Sequence, residues 1–264
     1  MSALLESGDT LPHSKFEPVE GLVFELLVVR YLTTNGVMKI WINFGVNMNK
    51  PLLIIGNKNY SSWSLRAWLM LKHAGVDFDE LRIPLFVAGY KGKLLSCSPA
   101  GKVPVYREGD LLVWDTLAIG EYLYEIYPSL WPAQREARAR ARSVSAEMHS
   151  GFVPLRMAMP MNIRARGRKV AMSVELEADI ARIKTIWHEL RTQYAGAGPW
   201  LFGPYSIADA MFAPVAFRFI TYGVSEPGAV DDYAQTVVRD PLVQEWIRDS
   251  KLEQERVASF EVGV

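Results

Sequence analysis

Tyr60-Ser61-Ser62-Trp63-Ser64-Leu65-Arg66 stands between a short apolar run, Leu52-Leu53-Ile54-Ile55, and a stretch in which Ala67, Met70, Leu71 and Ala74 recur at helical spacing. Four apolar residues without a polar break read as a central strand buried on both faces. Gly56-Asn57-Lys58-Asn59 turns the chain, and the spacing predicts a helix from about Ser62 to Ala74, stopped by Gly75. This strand-turn-helix sets the hydroxyls of Ser61 and Ser62 at a helix N-terminus. Unpaired N–H groups and the positive end of the dipole favour an anion there. Taken alone, the same serines read as helix caps.

Working outward, residues 78–83 form a second strand, and Val103-Pro104-Val105-Tyr106 and Leu111-Leu112-Val113 form two more, joined at Glu108-Gly109-Asp110 by a hairpin turn. An irregular or helical link precedes the hairpin. Ile119, Tyr122, Leu123 and Ile126 mark the face of a following helix. Prolines 128 and 132 make residues 127–132 a linker, and the pattern beyond it is helical. Leu176, Ile180, Ile183, Trp187, Leu190 and Tyr194 form one apolar stripe. Ser206-Ile207-Ala208-Asp209 is a capping box, Pro214 is expected to bend the helix it opens, and Asp240-Pro241 starts a last short helix. The fold class is therefore α/β plus all-α: residues 48–127 form a small α/β unit ending in an antiparallel hairpin, and residues 133–264 an all-helical one. Residues 1–47 lack caps, sustained helical period and catalytic clusters. They read as an appendage, either sequence upstream of a natural start at Met48 or a genuine extension packed on the body.

The chain has 264 residues, 22% of them charged, with 29 basic and 29 acidic side chains, so no net charge draws it to nucleic acid or to an anionic membrane. The apolar stretch from Gly21 to Leu32 holds Glu25 and Arg30 and is too short to cross a bilayer. No signal-peptide pattern is present, and a cytoplasmic location is expected. The single cysteine, Cys97, permits no disulfide framework within one chain.

Two further features bear on chemistry. Val103-Pro104 opens a strand; in the cis form it leaves the Val103 backbone free to pair with a peptide-like ligand as an added strand, although an ordinary edge proline fits the same pattern. Asp115-Thr116 starts the next helix, where a hydroxyl and free N–H groups suit a carboxylate, or where Asp115 is simply the N-cap. Serine is far too weak an acid to ionise at the turn, so its role toward an anion is that of a donor. A thiol has a pKa near ~8.5, and lowering it by about two units takes roughly 2.7 kcal/mol. One charge-assisted hydrogen bond of ~1.5–3 kcal/mol with a helix-terminus contribution of ~0.3–1 kcal/mol is of that size.

In order and spacing these signals resemble the glutathione transferase superfamily. Ser98-Pro99-Ala100-Gly101-Lys102-Val103-Pro104 is similar to its Asn-Pro-x-Gly-x-Val-Pro motif, Asp115-Thr116 to its acidic-Ser pair, and Ser206 to Asp209 to its capping box. Ser61-Ser62-Trp63-Ser64-Leu65-Arg66 resembles the zeta pattern Ser-Ser-Cys-Ser-x-Arg within the serine-type classes, zeta and tau. The resemblance spans about residues 52–247. It implies a thioredoxin-like N-terminal domain followed by an all-helical C-terminal domain, in a homodimer that takes glutathione and a small electrophile and needs no metal. It implies that Ser61, with Ser62 beside it, stabilises the glutathione thiolate. Trp63, Lys102, Val103, Pro104, Asp115 and Thr116 would hold glutathione. Gly151-Phe152-Val153-Pro154-Leu155-Arg156 is similar to the zeta Gly-x-x-Pro-Leu-Gln, which places Phe152, Arg156 and the nearby His149 at the pocket for the second substrate. Trp63 replaces the zeta cysteine, Arg156 replaces a glutamine, and Arg218 lies one turn before the arginine of the zeta isomerases. The implied function is glutathione transfer to an electrophile. A non-catalytic glutathione or apolar-ligand binding protein, and a maleylacetoacetate isomerase-like enzyme, remain as alternatives.

Other signals read as structural. No His-Glu-x-x-His, Gly-x-Ser-x-Gly or Cys-x-x-Cys motif occurs. By its residues alone, His149 reads as a plain helix histidine. Arg135, Arg138, Arg140 and Arg142 read as a solvated helix face. Arg164, Arg166, Arg168 and Lys169 read as an exposed basic loop, or as a patch drawing anions to a cleft mouth. Met148, Phe152, Met157, Met159 and Met161 line an adaptable apolar pocket or fill the core.

Overall fold

The structure, a computed structural model, describes residues 28–34, 37–43 and 50–263. The chain divides into two units, Met1–Val46 and Asn47–Val264. In the first, strands β1 (Val28–Thr34) and β2 (Val37–Asn43) pair antiparallel, with Val28 opposite Asn43 and Thr34 opposite Val37. The rest of the N-terminal stretch, including Met48, lies outside the described residues.

The second unit begins with β3 (Leu52–Ile55), all four residues buried, as their uninterrupted apolar character requires. Then follow α1 (Ser62–His73), β4 (Asp79–Arg82), α2 (Tyr90–Cys97), β5 (Val105–Glu108), β6 (Leu111–Trp114) and α3 (Thr116–Ile126). The sheet order is β4-β3-β5-β6, with β3 parallel to β4 and antiparallel to β5, and β6 closing the hairpin. This is the thioredoxin-like arrangement expected from the sequence. The link before the hairpin contains α2, whose sequence carries little apolar periodicity.

The helical half comprises α4 (Arg135–Ser150), α5 (Val153–Ala158), α6 (Val174–Tyr194), α7 (Ile207–Tyr222), α8 (Ala229–Arg239) and α9 (Pro241–Leu252). The central element is α7, buried along nearly its whole length and packed on α1, α4 and α8. Helix continues through Pro214. The capping box forms as read: Asp209 accepts from the Ser206 N–H at 2.8 Å and its hydroxyl at 3.0 Å, and also from Leu201 N–H and Tyr233 hydroxyl. Trp187, in the α6 stripe, meets Phe219 and Tyr233 with ring centroids 5.2 and 4.7 Å apart. No described helix is long and apolar enough to cross a membrane.

The basic stretch at 164–169 is an exposed loop, as its sequence reads, but two of its arginines are engaged. Arg164 donates to the carbonyls of Glu253 and Glu255 and to the Tyr60 hydroxyl, and Arg168 pairs with Glu261 at 2.7 Å. These cations fasten the C-terminal segment, which returns to the turn between β3 and α1. The α4 arginines are likewise engaged, Arg140 with Glu189 and Arg142 with Glu121.

Candidate functional site

Ser61 is the N-cap of α1 and is 8% exposed. Its Oγ lies 2.8 Å from Ser64 Oγ and accepts the Ser64 N–H at 3.4 Å. Ser64 Oγ in turn accepts the Gly56 N–H at 3.0 Å. With that lone pair occupied, Ser64 can direct its proton to Ser61, which leaves the Ser61 proton for the cleft. Ser62 is partly exposed and its hydroxyl has no partner among the described residues. The Trp63 N–H, next along the helix start, is also without an acceptor among them. The turn thus offers a hydroxyl donor, a free amide and the positive end of a twelve-residue helix at one point.

A cleft of about 610 Å³ opens over this turn. Ser61, Ser62, Trp63, Lys102, Val103 and Arg156 line it, so it gathers most of the residues expected from the sequence. The Val103–Pro104 peptide is cis, and the Val103 N–H and C=O have no hydrogen-bond partner among the described residues. Pro104 is buried behind that edge. Lys102 is exposed at the rim.

Other expected residues stand back from the cleft wall. Asp115 caps α3 by accepting Leu117 N–H at 2.9 Å, at a positive φ of 73°. Thr116 is 1% exposed, and its hydroxyl donates to the Trp63 carbonyl at 3.3 Å. It ties the two helix starts together, and only its backbone N–H is left for a ligand. His149 braces the same junction, with Nε2 3.2 Å from Asp115 Oδ2 and its ring edge-on to Trp63 at 5.1 Å. Phe152 is buried in the core with Met148, Met159 and Met161. Met157 alone of that group lines the cleft, 77% exposed.

The cleft also holds residues that no local pattern marks: Leu85 and Phe86 from the link before α2, Tyr90 at the start of α2, and Phe260 from the C-terminal segment. Arg218, from α7, lines it too, and the sequence shows it as an arginine displaced by one turn. Phe260 gave no signal, because its place depends on partners about 200 residues away, with its ring 5.5 Å from that of Tyr60.

Known proteins share this fold. A family profile described as "Glutathione S-transferase, N-terminal domain" matches residues 60–126. The chain is 36% identical over 108 residues to a "Probable maleylacetoacetate isomerase" of Caenorhabditis elegans, a match spanning 40% of this chain and only 50% of the worm protein. It is 30% identical over 165 residues to "Glutathione S-transferase 1" of Dianthus caryophyllus, covering 61% of this chain and 73% of the plant protein. A glutathione transferase homolog from Burkholderia, solved with bound glutathione, superposes with a TM-score of 0.59 at 25% identity, over 77% of this chain and 98% of its own.

Proposed function

The chain belongs to the glutathione transferase family, and on that premise we propose that it activates the glutathione thiol for attack on a small electrophile. The observation that carries the reading is the Ser61 hydroxyl at the start of α1, lining the same cleft as the unpaired backbone of Val103. Glutathione pairs its main chain with Val103 N–H and C=O. Its γ-glutamyl carboxylate lies toward the free N–H at the start of α3, and Lys102 on the rim supplies positive charge. Its sulfur meets Ser61 Oγ–H, with Ser62 and the Trp63 N–H beside it.

In that seat the thiol loses its proton to solvent, and the hydroxyl hydrogen bond and helix terminus stabilise the thiolate left behind. The thiolate attacks an electrophilic carbon held against the helical half. In a displacement the leaving group departs with the electron pair; in an addition the proton returns to carbon. Proximity supplies much of the rest of the acceleration. This division assigns residues 48–127 to glutathione and 133–264 to the second substrate. The family likeness supports a cytoplasmic homodimer with a role in detoxification.

The decisive measurement is a pH titration of bound glutathione by ultraviolet thiolate absorbance. A bound pKa about two units below ~8.5, returning toward ~8.5 in Ser61→Ala, is expected. A wild-type value equal to that of free glutathione would leave a binding protein without turnover. The likeness to the worm isomerase favours a second reading, cis-trans isomerisation of a maleyl-type diacid. Turnover of such diacids, weighed against halogenated aromatics, separates the two.

A further inference from the structure

Two guanidinium groups, those of Arg66 and Arg156, stand over Trp63, and a third, that of Arg218, neighbours both, without a carboxylate. Arg66 in α1 and Arg218 in α7 are 1% and 4% exposed. Each spends its Nε on a backbone carbonyl: Arg66 on Met211 and Arg218 on Met159, both at 2.8 Å. Arg66 Nη2 and Arg218 Nη1 are buried with no acceptor. Arg156, from α5, is partly exposed, and its Nη1 makes only long bonds to the carbonyls of His149 and Gly151, at 3.5 and 3.3 Å. The Arg66 and Arg156 guanidinium carbons lie 4.3 and 5.0 Å from the Trp63 ring centroid. Among the described residues, none of the three cations has an acidic group within 4.0 Å.

Such an arrangement is costly. Desolvation, reinforced by the neighbouring Arg156, brings Arg218 down to about 10, and Arg66 is lowered by burial and by the other two arginines. A buried cation ordinarily has a carboxylate partner, because leaving it unpaired costs several kcal/mol. The aromatic face of Trp63 offsets part of that cost for Arg66 and Arg156 and no more. Arg156 and Arg218 both line the cleft that holds Ser61, so the missing anion has a way in.

We infer that the electrophile itself carries a carboxylate, seated against Arg156 and Arg218, with its reactive carbon directed to the sulfur at Ser61. This rests on the glutathione-activating reading and names its substrate class. The two arginines belong to the helical half and face the second reactant, whereas Val103 and Lys102 belong to the sheet half and face glutathione. The pair also answers an electrostatic difficulty. An anionic acceptor is repelled by a thiolate in a low-dielectric cleft, and two guanidiniums beside it offset that repulsion.

The test compares ethacrynate with its methyl ester, which share one reactive enone and differ in the carboxylate. Wild-type kcat/KM is expected to favour the acid, and Arg156→Gln to lower the acid-to-ester ratio by about tenfold to hundredfold, the value of a charge-assisted hydrogen bond. Arg218→Lys, which keeps a charge in the buried site but loses the fork, is expected to lower it by a smaller factor. Benzoate should inhibit competitively against the ester and not against glutathione. It should also raise the melting temperature of the wild-type chain and not of Arg156→Gln. Equal use of acid and ester overturns the inference. So does an Arg156→Gln effect confined to the KM of glutathione, which would make the anion one of glutathione's own carboxylates. If neither acceptor is turned over, the pKa of bound glutathione decides the glutathione-activating reading, and benzoate binding decides this one: a melting shift lost in Arg156→Gln sustains an anion seat, and no shift in the wild type removes it.

Discussion

The Glu253 carboxylate accepts the backbone N–H of Lys58 at 2.6 Å across 195 residues of chain, and takes the Asn59 N–H at 3.1 Å on its other oxygen. Trp246 Nε1 donates to the Lys58 carbonyl at 2.8 Å, so this peptide segment is held on both sides by the C-terminal region. It leads directly into Tyr60 and Ser61, and the position of the candidate thiolate donor is thereby set from the far end of the chain.

Glu253→Ala leaves two buried amides without acceptors, at a cost of about 1–3 kcal/mol each. A lower denaturant midpoint and a lower kcat/KM are expected together, because the turn loosens as the fold weakens. Glu253→Gln keeps a carbonyl acceptor and should fall between. Wild-type stability and turnover in Glu253→Ala would show that the clasp contributes to neither.

Ser64 should matter to chemistry although it is buried behind Ser61. Ser64→Ala leaves the Gly56 N–H unpaired and removes the 2.8 Å contact that orients the Ser61 hydroxyl. Loss of one hydrogen bond of about 1–1.5 kcal/mol corresponds to a rise of roughly one unit in the pKa of bound glutathione. Ser62→Ala, which disturbs no hydrogen bond of the described structure, should leave that pKa nearly in place. The reverse ranking would move the donor role to Ser62.

Asp209 gives the fold a pH dependence of unusual sign. Burial pushes its carboxyl from 3.8 up to about 6, against the opposing pull of the N–H and hydroxyl donors around it. A carboxyl raised on folding holds its proton in the native state where the unfolded chain has lost it. Its contribution to stability is complete below about pH 4 and is lost as pH rises through about 6, roughly 3 kcal/mol for a shift of two units. Urea midpoints measured across that window should fall with pH for the wild type relative to Asp209→Asn. Parallel curves would mean that the capping bonds hold the native carboxyl near its ordinary value.

What was legible in the sequence was what local chemistry dictates. The β3 run, the serine turn, the α6 stripe and the capping box each depend on neighbours within a few residues, and each formed as read. The sequence suggests the Thr116 hydroxyl as a ligand contact, but the approach of α1 and α3 turns that hydroxyl to the Trp63 carbonyl. The loop at 164–169 is exposed as its sequence reads, but nothing local shows that Arg164 and Arg168 reach Glu253, Glu255 and Glu261, about 90 residues on. Long-range pairing of this kind leaves no periodicity to detect, and it accounts for the cleft residues that were missed.

Phe260 is the sharpest instance, and its removal should separate the two substrates. The ring stands 5.5 Å from that of Tyr60 and 5.7 Å from that of Phe86, closing one wall of the cleft. The neighbouring Glu261 fixes its backbone by accepting from Tyr60, Asn162 and Arg168. Phe260→Ala therefore opens the wall while leaving that anchor in place. An apolar acceptor loses contact area worth about 1–2 kcal/mol, so its KM should rise roughly five- to thirtyfold. Phe260→Leu restores apolar bulk and should recover most of the loss. Glutathione, held by hydrogen bonds along Val103, should be affected much less. If the KM of glutathione rises and that of the acceptor does not, Phe260 walls the glutathione half of the cleft and the acceptor lies wholly toward Arg156 and Met157.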